Sequence, residues 1–194
     1  MSSRISALLA LCLAVGLTIG CGGEPPEKEI QQAQSAADAA AAAGADTYAA
    51  EEFTAAKLAL TNAKTAVEQR DYRLALNDAL DSRERAQNAA KEATAARAAA
   101  RAAAEVALSE ADAALTGAQA KLKAAEERKL PARVLGAPRS AITTAATNLQ
   151  EAHAAFDQGR FVDVPAKAKA ATALLTAPLE QLEAAVVAPV RRRR

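Results

Sequence analysis

The segment from Tyr72 to about Lys129 constrains the fold more than any other part of this chain. It contains no proline and one glycine, Gly117. Alanine, the residue with the highest helix propensity, recurs there every seven residues, which returns it to one helix face. This series comprises Ala79, Ala86, Ala93, Ala100, Ala107 and Ala114. A second seam in a shifted register comprises Leu108, Ala111, Leu115, Ala118, Leu122 and Ala125. We therefore predict one helix, roughly 87 Å long at 1.5 Å per residue.

Small side chains dominate the composition. Of 194 residues, 58 are alanine, aromatics account for 3%, and there is no tryptophan. Alanine buries little apolar area, so the helices must pack closely around a thin core. Folds with aromatic or β-branched cores are poor fits, and so is a disulfide scaffold. The balance of 24 basic and 23 acidic side chains also disfavours a nucleic-acid binder with a large basic surface.

Helix start and stop signals divide the rest of the chain. A first helix is predicted from Glu27 to Ala43, ending at Gly44, with Asp46 or Thr47 capping the second. A 3,4,3,4 stripe identifies the apolar face of this second helix: Phe53, Ala56, Leu60, Ala63 and Val67. Residues 69–72 are predicted to form a turn in which Asp71 caps the long helix.

A weak internal repeat appears when the sequence is shifted by 89 residues. The shift aligns the apolar stripe with Ile142, Ala145, Leu149, Ala152 and Phe156, and Tyr72 with Phe161. The predicted fold is therefore all-α: two antiparallel helical hairpins joined by a long Ala-rich helical spacer, as an elongated bundle or a coiled-coil-like arrangement. Pro178 is expected to kink or end the last helix.

The predicted organisation has six parts. They are a signal peptide (1–20), a Gly/Pro tether (21–27), a first hairpin with the long helix (28–130), a Pro/Gly breaker (131–138), a second hairpin (139–188) and a basic tail (189–194).

An apolar run from Ile5 to Ile19 has the length of a signal-peptide core and is short for a bilayer span. It leads into Leu17-Thr18-Ile19-Gly20-Cys21, which resembles the lipobox of bacterial lipoproteins, with Thr18 where leucine is usual. The resemblance implies cleavage between Gly20 and Cys21 and lipidation of Cys21. Gly22 after the cysteine implies sorting to the outer membrane, facing the periplasm. The alternatives are an ordinary secretory signal cut elsewhere and an uncleaved anchor.

Residues 47–53, Ala56-Lys57, residues 66–72, Ala75 and Ala79 resemble a family of Ala-rich helical bacterial lipoproteins of unknown function. Some members of that family continue into an OmpA-like domain, for which this chain has no room. The family usually shows a proline where Ala50 stands. The resemblance implies no catalytic residue.

Candidate chemical groups are sparse. His153 is the single histidine, and it lies at the edge of the second apolar stripe. A metal site needs converging ligands, so we expect neither a metal nor a cofactor. Most carboxylates have a basic residue three or four positions away, as on solvated helix faces. We therefore expect no enzyme activity, an expectation that turnover lost on changing His153 would reverse.

Two groups of residues are candidates for binding. Phe53, Tyr72, Phe156 and Phe161 either close the hairpin cores or anchor a partner protein. The four terminal residues Arg191, Arg192, Arg193 and Arg194 either bind anionic lipopolysaccharide, peptidoglycan polymers or lipid headgroups, or form a solubilising tail.

These features together predict a lipid-anchored envelope lipoprotein with a structural, spacer or scaffolding role in the periplasm. The alternative is a TPR-like helical adaptor that binds a periplasmic or secreted protein. Partners would be the membrane, through the lipid, and an envelope protein or polymer. Self-association is also expected, because alanine seams bury little apolar area for a long helix.

Overall fold

The structure is a computed structural model that describes residues 23–187. It contains six helices in that range: α1 (Glu27–Ala42), α2 (Ala45–Tyr48), α3 (Ala50–Glu68), α4 (Tyr72–Glu127), α5 (Ala132–Asp157) and α6 (Val164–Val187). No strand is present between residues 23 and 187, and the all-α prediction is confirmed. The predicted signal peptide, Gly20, Cys21 and the basic tail lie outside the described residues.

The chain divides into two compact units, the first ending at Ala93 and the second beginning at Thr94. In unit 1, α1, α3 and the first part of α4 pack around a core of methyl side chains. Its main cluster consists of Ala37, Ala40, Ala45, Ala49, Phe53, Ala56, Ala86, Ala89 and Ala93. Since alanine projects little beyond the backbone, we expect the axes of these helices to lie at the short end of the usual 8–10 Å separation.

Unit 2 combines the rest of α4 with α5 and α6. Its core carries larger side chains than that of unit 1, among them Leu108, Leu149, Phe161 and Val164, together with Ala104 and Ala152. Two smaller clusters continue this core, one around Ile142 and Leu175 and the other around Leu135 and Leu182.

Helix α4 contributes to the core of both units. The predicted seven-residue alanine register is buried as far as Ala93, whereas Ala114 is exposed. From Ala104 onward the buried positions follow the second predicted register, through Leu108, Ala111, Ala118 and Ala125. Ala104 is four residues beyond Ala100, and a four-residue offset is the stutter known from heptad repeats. Helix α4 therefore joins the two hairpins as predicted, and each of its parts packs within one unit.

The 89-residue repeat is visible in the two hairpin turns. At the end of α3, Arg70 N–H donates to Val67 O at 2.9 Å and Asp71 N–H to Ala66 O at 2.9 Å. At the end of α5, the equivalent Gly159 N–H donates to Phe156 O at 2.9 Å and Arg160 N–H to Ala155 O at 2.9 Å. Both are Schellman motifs, with Arg70 (φ +60°) and Gly159 (φ +75°) in the left-handed region.

The predicted cap is found at the start of α4, but the caps predicted for the helix after Gly44 are not. Asp71 Oδ1 accepts the Leu74 N–H at 3.0 Å, so the predicted cap of α4 is confirmed. The predicted caps Asp46 and Thr47 are wrong, because both lie inside the short helix α2, which follows Gly44 at φ +86°. Helix α3 then begins after Ala49, without a side-chain cap.

The predicted breaker at 131–138 is wrong in extent. The chain leaves the helix only at residues 128–131, where Lys129 adopts φ +57°. Helix α5 begins at Ala132 and includes Pro138, whose ring is fully buried. Near it, Arg139 Nη2 contacts Glu126 Oε1 of α4 at 2.7 Å. Pro178 likewise lies inside α6 and does not end it. Tertiary packing thus outweighs the helix-breaking tendency of both prolines.

Candidate functional site

The α5–α6 turn carries a cluster of aromatic and cationic side chains. The rings of Phe156 and Phe161 meet edge to face, with centroids 5.1 Å apart. Two arginines of α4 lie over them: the guanidinium carbon of Arg97 is 6.0 Å from the Phe161 centroid, and that of Arg101 is 5.9 Å from the Phe156 centroid. These distances are at the limit of cation–π attraction, so the two arginines cover the aromatic rings but attract them only weakly.

Two of the four predicted partner anchors are core residues. Phe53 and Phe161 are buried within their own units, and Lys57 Nζ lies 4.5 Å from the Phe53 centroid. The burial of these two residues favours the core-closing alternative. Tyr72 and Phe156 are half-buried and keep some exposed ring surface.

His153 lies at the edge of the apolar face of α5, as the spacing predicts. Its Nε2 is 3.2 Å from Asp112 Oδ2 on α4, and both side chains are largely exposed. Residues 23–187 contain no group of three His, Cys, Asp or Glu side chains arranged to hold a metal ion. His153 and Asp112 therefore form a side-chain contact between α4 and α5 at the surface.

Other ion pairs join neighbouring helices at the surface. Arg85 of α4 contacts Asp81 on its own helix at 2.9 Å and Glu52 of α3 at 3.4 Å. The hydrogen bond and charge of Asp81, with the Glu52 charge, raise the pKa of Arg85 above its ordinary value. In unit 2, Lys121 Nζ lies 2.6 Å from Glu183 Oε1. Exposed pairs of this kind contribute about 0–1 kcal/mol each.

Two grooves in the described part of the chain have a composition suited to binding. The first, about 680 Å³, lies in unit 1 between α1 and α4. Its polar lining includes Gln31, Gln32 and Arg83, and its apolar lining is alanine. The second, about 300 Å³, lies in unit 2 between the ends of α4 and α6, and its lining includes Leu182 and Val186.

Sequence reasoning did not identify the first groove. Gln31 and Gln32 belong to no recognisable motif, and in the sequence Arg83 has the pattern of a solvated cation. The structure places Arg83 Nη1 2.7 Å from Gln32 Oε1. The polar character of α1 between two alanine faces was the available signal. Gly20, Cys21 and the four terminal arginines lie outside the described residues.

The chain matches no protein-family model, no curated protein and no solved structure. Among the helices of residues 23–187, none is both long enough and apolar enough to cross a bilayer.

Proposed function

We propose that this protein is a lipid-anchored lipoprotein of the bacterial envelope with a non-catalytic structural or scaffolding role. The observation that carries the proposal is the Leu17–Cys21 motif after an apolar run, six residues before the first residue of α1. A Cys21 bearing several acyl chains is a stable anchor, because each buried methylene contributes about 0.8 kcal/mol. The outer membrane, with the bundle facing the periplasm, is the proposed location.

The start of the described chain is compatible with a short tether. Pro26 is buried, and the Ile30 N–H donates to its carbonyl at 3.1 Å, so the packed part of unit 1 includes a residue only five positions after the proposed anchor. The five residues from Cys21 to Pro25 span at most about 18 Å. Unit 1 would therefore remain near the membrane surface.

The test of the anchor compares the two cysteines of the chain. Cys21→Ser should abolish incorporation of labelled palmitate and release the protein from the membrane pellet. The matched variant Cys12→Ser should keep both, because Cys12 lies in the segment proposed to be removed. Mass spectrometry of the wild-type N-terminal peptide should show an acylated Cys21. Equal labelling of the wild type and Cys21→Ser would refute the proposal.

The structural role is supported by how the side chains are used. The cores are filled by alanine, leucine and phenylalanine, while the acidic groups in ion pairs stand at the surface. A catalytic carboxylate or imidazole would need a desolvated setting to tune its pKa. Turnover of any substrate by the purified protein that His153→Ala removes, with the fold intact, would contradict this role.

A second candidate function, capture of a protein partner as a helical adaptor, is favoured by the groove between α1 and α4. Its glutamine side chains can donate and accept hydrogen bonds, and its alanine lining admits a helix or extended peptide. A photo-crosslinking residue at Gln87, which lines the groove, should then trap one defined protein in intact cells. The matched position Asn88, exposed one residue further along α4, should not. Equal trapping at both positions would exclude the groove.

A further inference from the structure

The first described residues lie at the same end of unit 1 as the α3–α4 turn. Lys64 Nζ donates to Gln34 Oε1 at 3.0 Å, so Lys64 of α3 and Gln34 of α1 lie at the same height along the two helix axes. Ala40 shares a core cluster with Phe53, so the two helices run antiparallel. Glu27 lies seven residues before Gln34, and Asp71 lies seven residues after Lys64. Each distance is about 10 Å along the axis, so Glu27 and Asp71 lie at the same end of unit 1. Pro25, Pro26 and Leu76 accordingly line one groove of about 620 Å³.

We name this end the anchor end; it is formed by Pro25, Pro26 and residues 69–76. The anchor end exposes apolar side chains. Leu74 is 45% exposed and Leu76 is 37% exposed, although both lie in the first helical turns of α4. Tyr72, half-buried, begins the same helix. These partly exposed apolar side chains lie where the chain leads back to Cys21, so they are available to a surface to which Cys21 would be attached.

The positions of Leu74 and Leu76 on α4 favour contact with a flat surface over contact with a single helix. Residues two apart on a helix point to different sides, so Leu74 and Leu76 lie on opposite flanks of α4. A helix packing along the flank of Leu76, which Leu80 (38% exposed) continues four residues later, would leave Leu74 exposed. A surface met end-on would cover both, because Leu76 is only about 6 Å along the axis from Tyr72. That depth matches the 5–10 Å to which apolar side chains enter a headgroup layer.

The charges at the anchor end favour a zwitterionic surface over an anionic one. Residues 24–29 and 68–73 contain five acidic and three basic side chains: Glu24, Glu27, Glu29, Glu68 and Asp71, with Lys28, Arg70 and Arg73. An excess of acidic groups is repelled by anionic lipids, so attraction must come from apolar contact.

We propose that the anchor end docks on the zwitterionic headgroup layer of the membrane, with Leu74, Leu76 and Tyr72 entering it. The inference rests on the proposed acylation of Cys21, since that anchor brings the end to the surface. Docking fixes which end of unit 1 faces the bilayer and leaves the α1–α4 groove accessible from the side.

The test uses the chain from Cys21 onward, coupled through the Cys21 thiol to a maleimide lipid in phosphatidylcholine vesicles. Because the chain has no tryptophan, Tyr72→Trp provides a single fluorescent probe at the anchor end. Leu58→Trp is the matched control, since Leu58 is 61% exposed on α3. It lies ten residues before the end of α3, about 15 Å along the axis. Lipids brominated near the headgroup should quench the first probe and leave the second unchanged.

A second measurement removes the leucines. The exposed fractions of Leu74 and Leu76 together approach one whole leucine, so Leu74→Ser with Leu76→Ser should lower the docked-to-free ratio about tenfold. Leu58→Ser should leave that ratio unchanged, and circular dichroism should report the same helicity for all variants. Equal quenching of both probes, or no quenching of Tyr72→Trp, would overturn the docking.

Chemical coupling separates this inference from the proposed function. If cells fail to acylate Cys21 while the coupled protein docks, the proposed function fails and the surface property stands. If cells acylate Cys21 while the coupled protein shows no quenching at Tyr72→Trp, only the docking fails.

Discussion

The hydroxyl of Ser82 on α4 donates to the carbonyl oxygen of Ala56 on α3 at 2.9 Å, inside the core of unit 1. Ser82 is 0% exposed and is the one buried polar side chain among residues 23–187. The α3–α4 interface therefore has a specific polar contact within a lining that is otherwise mainly methyl groups. Such a contact fixes register where alanine packing alone would tolerate sliding.

We expect Ser82→Ala to lower the free energy of unfolding by about 0.5–1.5 kcal/mol, the usual net value of one hydrogen bond. The cost stays modest because the Ala56 carbonyl lies within α3 and keeps its helical partner. Ser82→Leu should cost more, about 1–3 kcal/mol or above, because the close helices leave no room. Urea denaturation measures both, and Ser109→Ala, exposed on the same helix, should be neutral. A neutral Ser82→Leu would contradict close packing.

The two related turns predict opposite effects at equivalent positions. Arg70 adopts φ +60° where the second hairpin has Gly159 at φ +75°. A side chain in the left-handed region costs roughly 1–2 kcal/mol relative to the usual conformation, and glycine avoids that cost. We expect Arg70→Gly to be neutral or stabilising by up to about 1 kcal/mol. We expect Gly159→Ala to be destabilising by about 1 kcal/mol.

Thermal unfolding followed by circular dichroism measures this pair. Gly117→Ala on α4 is the control, because a Cβ at Gly117 meets nothing within 4 Å and its backbone is helical. It should stabilise by about 0.8–1 kcal/mol. A stabilising Gly159→Ala would show that the turn relaxes, which the conserved hydrogen-bond pattern of the two turns does not suggest.

The same repeat pairs Ala86 of unit 1 with Leu175 of unit 2, both buried. We expect Leu175→Ala to cost about 2–5 kcal/mol, because it opens a cavity in a core of larger side chains. Ala86→Leu should cost about 1–3 kcal/mol for the opposite reason, since it overfills an alanine core. Chemical denaturation of each variant checks both values. A well-tolerated Ala86→Leu would mean that unit 1 has unused space between its helices.

The sequence contained enough to predict α1, α3, α4, the turn after α3 and the repeat. These rest on local signals: Asp71 as a cap, the apolar stripe from Phe53, and the freedom of α4 from proline. The sharing of α4 between two cores was not predictable in the same way. It depends on the point between Ala93 and Ala104 where the buried positions change from the first predicted register to the second, and abundant alanine hides that point in the sequence.

The candidate sites were less predictable than the fold. Aromatic side chains are frequent both in cores and at interfaces, so the sequence alone could not decide between the two for Phe53 and Phe161. Burial within each unit decides for the core. The exposed Leu74 and Leu76 gave no signal because leucine in an amphipathic helix is normally read as core.

Proline inside α6 supports a last prediction. Pro178 has no N–H to donate to the Leu174 carbonyl, and interior proline is about 3 kcal/mol less favourable than alanine in a helix. The ring is only partly buried, so its removal leaves little cavity. We expect Pro178→Ala to stabilise by about 1–3 kcal/mol, and each kcal/mol should raise Tm by roughly 2–4 °C.

Pro138→Ala is the matched control for this change. It also restores a helical N–H, but it removes a fully buried ring from α5, and the lost packing should offset most of the gain. Calorimetry of the two variants should therefore show a clear rise in Tm for Pro178→Ala and a small change of either sign for Pro138→Ala. If Pro178→Ala instead lowers Tm, the ring stabilises α6 through contacts that its exposure does not suggest, and packing rather than backbone hydrogen bonding sets the stability of this helix.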